Sequence, residues 1–187
     1  MRQIGFKNFR RFENFPSMKL APITIFVGEN NAGKSTVVKG ILALSDFFNR
    51  FDEDRFLFSG ESSSDSVHKK KNVIVSNLKN QKFFFNTSYL AHIGTFKRAL
   101  YNKAENNIIS FYTTLDRTDI TIDIWGDRDD EEIVSGIIYR IVLDYPMLGL
   151  KIKFDLQNDN ATVLFNSVDT LEKPTHVDPV RQFSIDP

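Results

Sequence analysis

Cysteine is absent from this 187-residue chain, which excludes disulfides and thiolate metal sites and suits a reducing cytoplasm without requiring one. No run of about 18 uncharged apolar residues occurs, and the basic N-terminus is not followed by an apolar stretch of the signal-peptide kind. No membrane span is therefore expected, and the cytoplasm is the expected location. Histidine is scarce: His68, His92 and His176 are the three, and none is spaced with other ligands as a metal set. Net charge is lacking too, with 24 basic against 24 acidic residues, so the whole chain makes no electrostatic case for wrapping nucleic acid. Internal repeats and heptads are also missing.

What the chain does have is apolar bulk. Hydrophobic residues make up 41% of it and eighteen are phenylalanine, enough for one ordinary domain to bury a core without staples. Core packing is the expected role of those rings, ahead of base stacking. Charge is unevenly spread: residues 1–39 carry seven basic and two acidic side chains, whereas 127–132 is strongly acidic. A positive N-terminal end suits a polyphosphate, although DNA or an acidic partner would fit it as well.

Along the chain, residues 2–9 read as a strand and 12–20 as a second extended piece with Pro16 and Pro22 at its edges. Residues 23–27, ITIFV, form a short apolar run expected to be a buried central strand. A helix follows from Lys34 to about Asn49, with Val37, Val38, Ile41, Leu42, Leu44, Phe48 and Phe51 as its apolar stripe. Residues 52–72 read as a mobile, solvated insertion, and an extended piece is expected near 73–76. Candidate strands then come in series at 108–115, 119–125, about 133–144, 150–157 and 161–165, within a β-rich lobe spanning about 105–166. The alternation of Ile120, Ile122 and Ile124 is clean, and Asn158-Asp159-Asn160 is a turn sequence. The tail from 167 to 187 is expected to be irregular.

The chemistry concentrates at GENNAGKST, residues 28–36, which fits G-x-x-x-x-G-K-[ST] with Gly28, Gly33, Lys34 and Ser35 in the fixed places. Glycines let the backbone turn its amides toward one anion, and the following helix adds its unpaired first amides. Lys34 is expected on the β- and γ-phosphates and Ser35 on magnesium. Thr36 either meets the α-phosphate or supports the first helical turn. The absence of an N-K-x-D string favours ATP over GTP. ATP and Mg2+ are thus the expected cofactors, with Lys34 and Ser35 the candidate catalytic residues and Ser35 the metal ligand. Asn31, Gly28, Gly33 and Thr36 join them in the binding loop.

KNFRRF at 7–12 followed by ITIFVGENNAGKST at 23–36 resembles the N-terminal half of the ABC-like ATPase heads of the SMC/Rad50/RecF group. The likeness is greatest to AAA-family ATPases of the OLD-nuclease and bacterial anti-phage type, and YLAHIG at 89–94 resembles a short segment that those heads carry. The resemblance implies an α/β P-loop NTPase fold, a mixed core sheet with an adjoining antiparallel β-lobe. It also makes Arg10 a candidate nucleotide contact, the alternative being an ordinary surface arginine. It further implies ATP hydrolysis in a head-to-tail dimer, coupled to a DNA or effector transaction such as anti-phage defence.

The chain departs from that pattern in lacking an apolar strand ending in two carboxylates and a serine-glycine signature. The nearest imitation is Asp144, after which Tyr145 stands where glutamate would be. The chain is accordingly expected to be the N-terminal part of a longer head, inactive by itself and completed by self-association or by a partner chain. The competing expectation is a non-catalytic, nucleotide-responsive protein-binding module.

Overall fold

The computed structural model describes residues 1, 3–50, 78, 81–86, 92–158 and 160–165. The expected insertion at 52–72, the extended piece near 73–76, Phe51, His68, His176 and the tail lie outside the described residues. Eight strands form one sheet: β1 (Gln3–Phe9), β2 (Phe12–Lys19), β3 (Lys82–Phe84), β4 (Ile108–Leu115), β5 (Thr118–Trp125), β6 (Ser135–Tyr145), β7 (Leu150–Asp155) and β8 (Asn160–Phe165). Their order is β2-β1-β4-β5-β6-β7-β8, with β3 paired to the first part of β6. Among the described residues, the sheet is accompanied by the helix α1 (Lys34–Arg50) and the single-turn α2 (Phe96–Ala99).

Every strand pairing is antiparallel. The expected mixed core sheet beside a separate β-lobe is therefore not what the described residues form. β1 and β2 instead continue the lobe strands directly, because β1 pairs with β4 from Gln3↔Thr114 to Lys7↔Ser110. The strand series read from alternation is present with small shifts at the ends.

The core-facing row is set by register. Phe6 stands opposite Phe111, Phe111 opposite Ile122, Ile122 opposite Ile141, and Ile141 opposite Phe154. Phe6, Phe9, Phe83 and Phe111 pack ring against ring with centroids about 5–6 Å apart, within the range favoured by aromatic pairs. The phenylalanines so used are core residues, as expected.

Helix α1 lies on this face through Thr36, Val37, Gly40, Ala43, Leu44 and Phe47. That face is rotated from the expected stripe, since Val38 is exposed and Ile41, Leu42 and Phe48 are only partly buried. Gly40 explains the rotation. A Cβ there would stand 3.3 Å from the rings of both Phe6 and Phe9, so the glycine brings the helix backbone onto the sheet.

Two further expectations are corrected. Pro16 lies inside β2 and not at its edge. The strand tolerates it because β2 is the outermost strand and its pairing with β1 slips between Ile4 and Phe6. Residues 23–27 are unpaired, and Ile23, Ile25 and Val27 are 82%, 78% and 85% exposed. A continuous apolar run is buried only when strands flank it on both sides, and no described strand lies beside this one.

Candidate nucleotide site

Three segments distant in sequence meet around one cavity of about 710 Å3. The turn between β1 and β2 contributes Arg10 and Arg11. The P-loop and the start of α1 contribute Asn30, Asn31, Gly33, Lys34, Ser35 and Thr36. The third wall comes from Lys97 and Arg98 on α2, with Leu100 and Asn102 just beyond it. Among the described residues, none that lines the cavity is acidic. Its size falls within the ordinary range for small-molecule sites.

The loop's shape follows from its residues. Gly28, Asn31 and Gly33 have φ of 148°, 70° and 98°, values open to glycine and, less freely, to asparagine. Gly33 is doubly required. A Cβ at this position would lie 2.4 Å from the Phe12 ring and 3.2 Å from the Arg11 stem, so the loop can press against the β1–β2 turn only with glycine there. The carbonyl of Gly33 accepts from the amides of Thr36 and Val37 at 2.9 and 3.1 Å, which opens the helix. The first amides of a helix lack intrahelical partners and carry its positive dipole end, and the first-turn residues Lys34, Ser35 and Thr36 border the same cavity as the loop.

The Lys34 ammonium folds over the loop and donates to the carbonyls of Gly28 at 2.6 Å and Glu29 at 2.5 Å. Gly28 thus acts through its backbone and does not line the cavity. Ser35 is exposed at the cavity, whereas Thr36 is buried although it also borders it.

Arg10 occupies the left-handed region at φ 55°, as does Asn8. An arginine there costs about 1 kcal/mol or more relative to glycine, and the surrounding bonds hold it in place. The Arg10 amide donates to the Ala99 carbonyl at 2.6 Å and the Tyr101 amide to the Asn8 carbonyl at 3.0 Å. The buried Asn8 side chain donates to the Ile108 carbonyl at 3.1 Å. Arg128 reaches the same stretch, donating to Asn107 Oδ1 at 2.6 Å and to the Ala104 carbonyl at 2.9 Å.

On the third wall, Lys97 donates to Glu131 at 2.5 Å. This bond and the attraction behind it raise the lysine pKa and lower that of the Glu131 carboxyl. Nothing in the motif patterns marks Lys97, Arg98 or Asn102. They reach the P-loop only because Leu100 bridges to Phe9, a contact between residues far apart in sequence.

The donor set fits a polyphosphate: backbone amides, guanidinium groups, an ammonium and a hydroxyl, with no carboxylate among the described lining residues to repel it. For magnesium the chain offers the Ser35 hydroxyl. Among the described residues there is no group of three or more His, Asp or Glu side chains able to hold a metal, so phosphate oxygens and water would supply most of the coordination. Asp144 is not part of the site. It lies on β6 opposite Lys151, with which it makes a 3.0 Å ion pair. His92 is exposed, and its carbonyl accepts from Lys39 Nζ at 2.8 Å. No described helix is long and apolar enough to cross a membrane.

No curated protein and no solved structure matches the chain. A family model described as AAA ATPase domain matches residues 1–177. That span takes in the P-loop, the β1–β2 turn and the α2 wall together, and the chain belongs to the AAA ATPase domain family.

Proposed function

We propose that the cavity binds ATP with magnesium and that the chain is part of an ATPase head. The observation that carries this reading is the convergence of the P-loop, Arg10 and the first turn of α1 on a cavity that, among the described residues, is bordered by cations and by no carboxylate. In this reading the loop amides and Lys34 hold the β- and γ-phosphates, and Lys34 exchanges its two loop carbonyls for phosphate oxygens. Ser35 places its hydroxyl on the magnesium ion, which neutralises charge developing on the transferred phosphoryl group. Arg10 adds a guanidinium suited to a bidentate phosphate contact.

Hydrolysis needs a group that orients the attacking water, and no described lining residue is a carboxylate. We therefore assign catalysis to an assembly in which a second head or a partner chain completes the site, as in the head-to-tail dimers of the SMC/Rad50/RecF group. The exposed residues 23–27 favour such an assembly, because they present apolar side chains on an unpaired backbone. Coupling to DNA or to an anti-phage effector, and a cytoplasmic location, belong to the same proposal and rest on family likeness.

The test is calorimetric titration of the purified chain with magnesium and a non-hydrolysable ATP analogue, beside the GTP analogue and Lys34→Ala. Saturable binding that prefers adenine and falls at least tenfold in Lys34→Ala is expected, the loss of one charged hydrogen-bonding group being worth about 1.5–3 kcal/mol. Equal binding by wild type and variant would overturn the reading.

A further inference from the structure

The cavity holds more positive charge than the P-loop needs. Arg10, Arg11, Lys34, Lys97 and Arg98 all border it, and they differ in what already occupies them. Lys34 is bonded to loop carbonyls and Lys97 to Glu131. Arg98 makes no hydrogen bond or ion pair with any described residue, although it is close enough to Glu131 to stabilise that carboxylate.

The backbone that carries it is nevertheless held in place. Phe96 and Ala99 on either side are fully buried. The Phe96 amide donates to the Ile133 carbonyl at 2.8 Å, and Gly126 leaves room for the Phe96 ring, which a Cβ would meet at 2.3 Å. Gly94, at φ 104°, gives the Arg98 stem its resting surface, since a Cβ there would stand 2.9 Å from Arg98 Cδ. A freely reorienting surface arginine would need none of this. The segment that carries Arg98 is bonded to the backbone of Arg10 through the Ala99 carbonyl, and both arginines border the cavity.

We propose that Arg98 is a nucleotide contact that grips the terminal phosphate, so that the site distinguishes triphosphate from diphosphate by a charge standing outside the P-loop. This rests on the nucleotide reading of the cavity and extends it. The P-loop amides and Lys34 hold the β-phosphate, which both nucleotides possess, as well as the γ-phosphate. A further cation that borders the cavity from outside the loop adds to the grip only where the terminal phosphate is present.

The experiment measures affinity of the full chain for the magnesium-bound ATP analogue and for ADP by calorimetry, in wild type, Arg98→Gln, Arg98→Lys and Lys34→Ala, with thermal melts to confirm folding. Arg98→Gln should weaken the triphosphate analogue about tenfold and ADP less than about twofold, one charge-assisted hydrogen bond being at stake. Arg98→Lys should recover part of the loss. If Lys34→Ala abolishes binding while Arg98→Gln leaves the triphosphate-to-diphosphate ratio unchanged, the Arg98 assignment is overturned and the P-loop reading stands. If Lys34→Ala changes nothing, the nucleotide reading fails and the Arg98 assignment fails with it. A duplex oligonucleotide is titrated in parallel, and loss of its binding in Arg98→Gln with an unchanged nucleotide ratio would overturn the assignment in favour of a nucleic-acid contact.

Discussion

Arg10 combines a backbone conformation that disfavours it with a side chain that borders the phosphate cavity. Arg10→Gly should therefore stabilise the fold by about 1 kcal/mol, because glycine enters the left-handed region freely, and should weaken nucleotide binding. Urea unfolding and calorimetry on the same preparation check both halves, and a variant that loses stability would show that the strain reading is wrong. Glu131 offers a pH test. The Lys97 ammonium hydrogen-bonds and attracts its carboxylate, lowering the carboxyl pKa and raising that of the lysine. The bond contributes above the unfolded carboxylate pKa and is lost as pH falls through the lower folded value; on the alkaline side it fades as pH rises through the raised lysine value. Urea midpoints of wild type and Glu131→Gln should differ near neutrality and converge in acid.

At the scale of elements, the contact between α1 and the sheet is the most sensitive. Phe111→Ala removes a fully buried ring that touches Phe6, Phe9 and Phe83, and should cost about 3–5 kcal/mol in urea unfolding. On the sheet's other face Asp123 is 2% exposed and paired with Arg140 on β6. Arg140→Ala strands that carboxylate and should cost about 2 kcal/mol, less than a fully buried pair because the arginine itself is partly solvated. The strands were legible in the sequence because each carries its own alternation, as Ile120, Ile122 and Ile124 do. The P-loop was legible because its residue types are dictated by the amides it must present. The α1 face was misjudged by counting large apolar side chains, when the small Gly40 and Ala43 decide how closely the helix can sit. The α2 wall was invisible, since no local spacing encodes a bridge between Phe9 and Leu100. The apolar run at 23–27, with a P-loop and helix after it, points to a buried strand, but burial needs flanking strands that no local sequence supplies.

At the scale of the molecule, the proposed assembly makes the exposed residues 23–27 its testable contact, since unpaired backbone edges invite pairing. Ile25→Lys should change unfolding free energy by less than about 0.5 kcal/mol, as expected of a surface site, while reducing concentration-dependent light scattering. An unchanged scattering profile would show that this segment does not mediate association. The pairing of β1 with β4 has a different kind of consequence. It joins Gln3 to Thr114, 111 residues apart, and everything that makes the phosphate cavity lies between those two strands in the chain. Closing so long a loop is entropically expensive and slow compared with forming a helix or a hairpin. The nascent P-loop is therefore available to the chain long before it is a binding site, and competence for nucleotide should appear during refolding only when the first and fourth strands meet.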